Sequence, residues 1–149
     1  LLPAQARMDY RKVDPKSVKA MLGLEKCVRQ SGLEPSLLIL VKLRASQING
    51  CDYCLNLHVK DAQLHGETEQ RLSAVSAWRK TSLFSERERA ALAWTEAVTR
   101  VADTHVPDDV YAVLSKQFTE KERVNLTLAI VAINGWNRLN IAFQTVPGS

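Results

Sequence analysis

The segment that most constrains the fold is a long, nearly uncharged stretch close to the end of the chain. Thr119, with Glu122 three residues later, forms a capping box that predicts a helix running to about residue 143. Apolar side chains fall on nearly every side of this helix: Leu126, Leu128, Ala129, Ile130, Val131, Ala132, Ile133 and Trp136. A helix that is apolar all round is central to a core or shared with a partner, so the pattern favours a homo-oligomer.

The rest of the chain also predicts helices and no strands, because it lacks hairpin dipeptides and sustained alternation of apolar and polar residues. Further helices are predicted over residues 16–30, 37–48, 51–65, 68–78 and 85–101, with another beginning near 107. The chain has 149 residues, 46% of them hydrophobic and 24% charged, which is typical of one globular domain. We therefore predict an all-α, single-domain bundle of about six to seven helices.

No linker or internal repeat divides the chain. Residues 1–15 contain Pro3 and Pro15 and are predicted to form an extended N-terminal arm, either frayed or docked on a neighbouring subunit. Residues 16–149 are predicted to form the domain.

Charge and apolar runs exclude several classes of function. The net charge of +4 is interspersed rather than clustered, so we expect no nucleic-acid partner. The longest uncharged stretch, residues 124–137, is shorter than the ~20 apolar residues of a membrane span, so we expect no membrane association. No signal peptide opens the sequence. Three cysteines are too few for a secreted disulfide scaffold, and we predict a cytoplasmic protein.

The candidate chemistry lies at Cys51, Cys54 and His58. On a helix these three residues fall within a sector of about 60°. Cys51 is expected at the helix start, where unpaired amides and the positive end of the dipole favour a thiolate. His58 lies one turn beyond Cys54, where its imidazole can take the thiol proton. The spacing predicts a dithiol that cycles through a disulfide.

Other interpretations of the pair are less favoured. The cysteines could be two small buried hydrophobes. A zinc site would need a fourth ligand, and His65 lies about 10 Å along the axis from His58, while His105 falls in a predicted loop. A thioredoxin-like site would need flanking strands. We therefore expect no metal and no organic cofactor.

Residues 43–54, Leu-Arg-Ala-Ser-Gln-Ile-Asn-Gly-Cys-Asp-Tyr-Cys, followed by His58, closely resemble the alkylhydroperoxidase D-like branch of the carboxymuconolactone decarboxylase family. Residues 66–71, 86–92 and 132–139 also look like that family. The resemblance extends from about residue 8 to residue 146, and its Cys-x-x-Cys-x-x-x-His core is specific.

The resemblance implies an all-helical subunit that assembles as a homotrimer or homohexamer. It implies an antioxidant peroxidase that reduces hydroperoxides at the dithiol and is re-reduced by an external thiol system. On the family pattern, Cys54 is the attacking thiolate and becomes a sulfenic acid, and Cys51 then closes the disulfide. His58 matches the family histidine that helps to move the proton.

One position departs from the family pattern. The family usually has a relay glutamate twelve positions before the first cysteine, where this chain has Ile39. Glu88 and Glu96 are possible substitutes, although both are also typical of solvated salt-bridge partners. The loss favours one rival function, a weakly active or non-enzymatic redox sensor or scaffold. A second rival, a carboxymuconolactone decarboxylase-type lyase, does not need the dithiol.

Several other residues are predicted to be structural. Arg44 and Gln47 either orient polar groups near the dithiol or form hydrogen bonds that support the fold. Cys27 is predicted to be a small buried residue. The three tryptophans are predicted to be core or interface residues rather than a substrate cage: Trp78, Trp94 and Trp136.

Overall fold

The computed structural model describes residues 5–148, which form helices and turns and no strand. The predicted all-α bundle is confirmed. Its helices are α1 (Tyr10–Val13), α2 (Pro15–Arg29), α3 (Pro35–Asn49), α4 (Asp52–Leu64), α5 (Glu69–Ala74), α6 (Glu86–Thr99), α7 (Val101–Thr104), α8 (Asp108–Gln117) and α9 (Glu120–Ala142). A 3-10 helix, Val75–Lys80, follows α5. The count within these residues exceeds the predicted seven because α1 and α7 are single turns too short to show a periodic pattern.

The helix ends follow the local sequence signals. Ser85 and Thr119 each form the predicted capping box, with Glu88 and Glu122 respectively. The segment predicted as one helix over 68–78 is divided into α5 and a 3-10 helix that begins at Val75. Within the 3-10 helix, Ala77 departs from helical geometry (φ −117°, ψ 31°).

The core is built around α3, which packs against α4, α6 and α9. Leu37, Leu40 and Val41 on α3 are almost fully buried, as are Leu126 and Ile130 on α9. The burial agrees with a central position for α9. The same helix leaves three apolar side chains exposed to solvent, Val124, Val131 and Ile141. Assembly into an oligomer therefore stays a prediction.

Across residues 5–148, no helix has both the length and the apolar character needed to cross a bilayer.

Residues just before α2 pack against the end of α9. The backbone N–H of Arg7 donates to the carbonyl of Phe143 at 2.9 Å. The buried Tyr10 ring lies 5.7 Å from the Phe143 ring, centroid to centroid, and its hydroxyl donates to Asn140 Oδ1 at 2.9 Å. Residues 1–4 of the predicted arm, and Ser149 at the other end, lie outside the described residues.

The corner between α3 and α4 depends on a left-handed glycine. Gly50 has φ 68° and ψ 36°, a left-handed backbone conformation that residues with a Cβ adopt only with strain. Its N–H donates to the carbonyl of Gln47, and the N–H of Cys51 donates to the carbonyl of Ser46. This pair of bonds is a Schellman motif, and it sets the position of Cys51 at the start of α4.

We expect Gly50→Ala to lower the free energy of unfolding by about 1 kcal/mol, because alanine must take the left-handed conformation. Gly23 is the matched control: it is an exposed glycine inside α2, and no atom lies within 4 Å of the position that a Cβ would occupy. Gly23→Ala should instead raise the free energy of unfolding by about 0.5–1 kcal/mol. Urea unfolding measures both values, and a shift in the same direction for the two variants would contradict this account.

Candidate active site

The two cysteines of the predicted dithiol meet at the start of α4. Cys51 is the N-cap residue, and its Sγ accepts a hydrogen bond from the backbone N–H of Cys54 at 3.3 Å. The two side chains are paired as a disulfide, with their Cα atoms 5.3 Å apart. Both side chains are almost fully buried.

Only one of these cysteines lines the cavity next to the dithiol. The cavity has a volume of about 780 Å³ and lies between α2, α3, α4 and α9. Cys54 lines it and Cys51 does not. Of the two cysteines, Cys54 is therefore the one that a molecule in the cavity would contact.

His58 lines the same cavity, one turn beyond Cys54. Burial lowers the pKa of His58 to about 4, and the nearby positive charge of Lys42 acts in the same direction. The carboxylates of Glu25 and Asp61 oppose this shift without cancelling it. At neutral pH the imidazole is therefore uncharged and has a free lone pair that can accept a proton.

Asn140 on α9 contacts the Cys54 sulfur, and the sequence analysis missed it. Its Nδ2 lies 3.7 Å from Cys54 Sγ and also donates to the carbonyl of Trp136 at 2.9 Å. The Tyr10 hydroxyl donates to its Oδ1 and so fixes the amide orientation. An N–H directed at sulfur stabilises a thiolate more than a thiol. The signal available in the sequence was a row of asparagines in an apolar helix, at Asn134, Asn137 and Asn140.

An ion pair between Lys42 and Glu25 lies near His58, and the sequence analysis missed it too. Lys42 Nζ is 3.3 Å from Glu25 Oε2, and their side chains are only 14% and 15% exposed. The Trp136 indole N–H donates to the other carboxylate oxygen at 3.1 Å. All three residues line the cavity. Glu25 follows Val18 and Leu22 at helical spacing on the side of α2 that lines the cavity, and a carboxylate on such an apolar face was the available signal.

The position of the missing relay glutamate does not line the cavity. Ile39 is buried in an apolar cluster with Leu43 and Ala62, on the side where α3 packs against α4. A carboxylate there would be surrounded by apolar side chains, at a high desolvation cost.

Neither of the two predicted substitutes for that glutamate lines the cavity. Glu88 bonds to Arg71 and to its own capping box. Glu96 bonds to Arg44, Trp78 and Arg79. Burial alone would raise the pKa of Glu96, but these donors lower it overall, so the carboxylate stays charged and paired. Both residues are therefore salt-bridge partners within the fold.

Some of the sequence predictions for Arg44, the three tryptophans and Cys27 are confirmed, and others are wrong. Arg44 donates to Glu96 and Gln47, which identifies a fold-supporting network. Burial confirms Trp78 and Trp94 as core residues, whereas Trp136 lines the cavity and was wrongly grouped with them. Cys27 is exposed rather than buried, because Val28 takes the inward position at that turn of α2.

The two histidines considered for a zinc site lie elsewhere. His65 Nδ1 contacts the carbonyl of Asp61 at 2.9 Å, and His105 has a left-handed backbone after α7. Among residues 5–148 no three histidine, cysteine or carboxylate side chains are grouped so that they could hold a metal ion.

A known family accounts for this combination of an all-helical fold and a paired Cys-x-x-Cys motif. The sequence profile described as the carboxymuconolactone decarboxylase family matches residues 15–97, which is more than half of the chain and includes the dithiol and His58. The chain belongs to the carboxymuconolactone decarboxylase family. Similar family relatives include the uncharacterized protein YdfG of Bacillus subtilis, 38% identical over 136 residues that cover 91% of this chain and 92% of YdfG. The uncharacterized protein YnjA of Escherichia coli is 33% identical over 117 residues, covering 78% of this chain and 63% of YnjA.

Solved structures agree with the assignment to the carboxymuconolactone decarboxylase family. ATU0492 of Agrobacterium tumefaciens superposes with a TM-score of 0.94 at 42% identity, covering 97% of this chain and 99% of that protein. ATU0492 is a protein of unknown function provisionally assigned to the AhpD antioxidant defence proteins. The debrominase Bmp8 superposes with a TM-score of 0.83 at 21% identity, covering 93% of this chain and 74% of Bmp8, which supports the fold alone.

The shifted pKa of His58 predicts a stability that depends on pH. Its folded-state pKa of about 4 lies below the ordinary value of 6.5, so the unfolded chain binds more protons between these pH values. Stability should therefore rise with pH across this window, and acidification from pH 7 to pH 4 should cost about 3 kcal/mol through this residue. Urea unfolding of the oxidised protein at several pH values, compared with His58→Gln, isolates the effect. Equal pH slopes for the two proteins would contradict it.

The contact between Asn140 and the Cys54 sulfur predicts control of thiol reactivity. Asn140→Asp places a carboxylate beside the sulfur, which should raise the pKa of the Cys54 thiol and slow its alkylation at pH 7 about tenfold. Asn125→Asp is the matched control, because Asn125 lies near the other end of the same helix and does not line the cavity. Iodoacetamide rates are measured against pH in a background of Cys27→Ser and Cys51→Ser, which leaves one thiol. Identical profiles for the two asparagine variants would refute the role of Asn140.

Proposed function

We propose that this protein is a thiol-dependent peroxidase in which Cys54 attacks a hydroperoxide and Cys51 resolves the product. The observation that carries the proposal is the placement of Cys54. This residue lines a cavity shared with a neutral His58, while Cys51, its disulfide partner, does not line that cavity.

The oxidative half of the cycle consumes one hydroperoxide. The Cys54 thiolate attacks the terminal peroxide oxygen, the O–O bond breaks, and the leaving alkoxide takes a proton to become an alcohol. Cys54 is then a sulfenic acid. The Cys51 thiol attacks that sulfur, forms the disulfide and releases water. The two electrons that reduce the peroxide come from the two thiols.

The surrounding residues move the proton and stabilise charge. His58 accepts the Cys54 thiol proton and returns it to the leaving alkoxide, a role that its neutral state allows. Asn140 donates to the developing thiolate. Glu25, held by Lys42 and Trp136, favours the imidazolium form of His58 and takes the place of the carboxylate missing at Ile39.

The reductive half requires an external dithiol, which supplies two electrons and two protons. Its thiolate would attack Cys54, the sulfur that faces the cavity, and Cys51 would leave as a thiolate. The N-cap position suits this leaving group, because the backbone N–H of Cys54 already donates to the Cys51 sulfur. The second thiol of the donor then completes the exchange.

The family and one neighbour support this proposal. Membership of the carboxymuconolactone decarboxylase family and the close similarity to ATU0492, with its provisional antioxidant assignment, agree with a redox dithiol. The proposal includes a homotrimer or homohexamer, a cytoplasmic location, and a division into an arm of residues 1–15 and a domain of residues 16–149.

A second candidate function is a redox sensor or scaffold that forms the disulfide without turning over peroxide. Ile39 favours it, because this residue fills an apolar cluster where the family usually has its relay glutamate.

The deciding experiment counts thiols in the reduced protein before and after one equivalent of cumene hydroperoxide. The Cys27→Ser background removes the exposed third cysteine, which could react on its own. We expect the two remaining thiols to disappear while one equivalent of cumyl alcohol forms. Cys51→Ser should stop at a sulfenic acid on Cys54 that dimedone traps, and Cys54→Ser should consume no peroxide.

The outcomes separate the two candidates. Full peroxide consumption by Cys54→Ser would overturn the assignment of the attacking thiol. Loss of thiols without matching alcohol, or no loss at all, would favour the sensor or scaffold.

A further inference from the structure

The cavity beside Cys54 is open to solvent and has apolar walls, among which Leu22, Leu57 and Leu64 are exposed. Its walls include Val18 and Leu22 from α2, Leu57 and Leu64 from α4, and Trp136 from α9. Its volume of about 780 Å³ falls within the range of roughly 300–1,000 Å³ typical of small-molecule sites. Hydrogen peroxide would leave nearly all of this space unfilled. The walls fit a molecule with a substantial apolar body.

More positive than negative side chains line the same cavity. Two carboxylates, Glu25 and Asp61, face five cations: Arg11, Lys26, Arg29, Lys42 and Lys60. Glu25 is paired with Lys42, and Asp61 lies 3.3 Å from the His65 ring. The lining therefore has an excess of positive charge.

Three of these cations form what we call the cationic rim: Lys26, Arg29 and Lys60. Each is exposed, and within residues 5–148 none has a carboxylate partner. Two of them lie in the last turn of α2, and the third lies on the facing helix α4. An apolar wall lowers the local dielectric constant, so unpaired cations at its edge attract an anion more strongly than the same cations on an open surface.

We propose that the cavity selects hydroperoxides that combine an apolar body with one anionic group, the chemistry of a fatty-acid hydroperoxide. The apolar body packs against the leucines and Trp136, and the carboxylate lies at the cationic rim. The peroxide group is then presented to Cys54. This inference deepens the proposed peroxidase function and rests on it.

The test compares two hydroperoxides that share the same chain and peroxide group and differ only at the carboxyl end: linoleic acid hydroperoxide, which is anionic, and its uncharged methyl ester, both below their micelle-forming concentrations. We expect kcat/KM for the acid to exceed that for the ester about tenfold at low salt. The ratio should shrink at about 0.5 M salt, where exposed charges are screened over a few ångströms.

Two double variants test whether the cationic rim causes the preference for the acid. Lys26→Gln with Arg29→Gln should lower kcat/KM for the acid about tenfold, mainly through KM, and leave the ester within twofold. Lys16→Gln with Lys19→Gln is the matched control, because it removes the same charge from exposed positions of α2 that do not line the cavity. The control should leave both substrates within twofold.

The outcomes keep the two proposals apart. Equal turnover of acid and ester, or an equal loss in the control, would overturn the anionic substrate class and leave the peroxidase function standing. Absence of turnover with either hydroperoxide would overturn the peroxidase function. Calorimetric binding of linoleate and methyl linoleate to the oxidised protein would still test the cavity, and equal affinities would overturn the anionic preference.

Discussion

The geometry of the site depends on one set of buried and half-buried amide hydrogen bonds between α3 and α9. Asn137 is fully buried and donates to Ser46, and Asn49 donates to the amide oxygens of Asn134 and Asn137. A buried amide that loses its partner costs about 1–3 kcal/mol, so these bonds fix the two helices along their length. They hold the end of α3, from which the left-handed Gly50 leads into Cys51.

The same hydrogen bonds fix the positions of Trp136 and Asn140, the two α9 residues on the side of the dithiol. Asn140 lies one helical turn beyond Trp136, and both follow from the alignment of α9 against α3. Asn140 contacts the Cys54 sulfur, and Trp136 donates a hydrogen bond to Glu25, whose charge acts on His58. The cavity therefore combines an uncharged imidazole, a hydrogen-bond donor to sulfur and a carboxylate paired with a lysine. These groups come from four helices that no local interaction would bring together. Preorganised groups of this kind stabilise developing charge without rearranging during the reaction.

The sequence predicted the parts of the fold that arise within one segment. Both capping boxes, the helix starts near Pro15 and Pro35, and the cysteine pair at the start of α4 depend on neighbours only a few residues away. The errors fell where distant residues decide the outcome. The exposure of Cys27 and the cavity position of Trp136 depend on which face of a helix the rest of the bundle covers. Ile39 showed that this position carries no carboxylate, but the sequence did not predict that Glu25 lines the cavity.

The sequence alone therefore determined that this chain is helical, that Cys54 and His58 lie one turn apart on the same helix, and that Ile39 occupies the position where the family resemblance implies a relay glutamate. Only the tertiary structure decided that Cys54 is the cysteine that lines the cavity, that Asn140 contacts its sulfur, and that Glu25 lines the same cavity. It also showed that Glu88 and Glu96 pair with arginines elsewhere in the fold. The physical reason is the range of the interactions. Helix formation and capping act over about four residues, whereas the choice of partner for a buried charge or amide depends on packing between helices distant in the sequence.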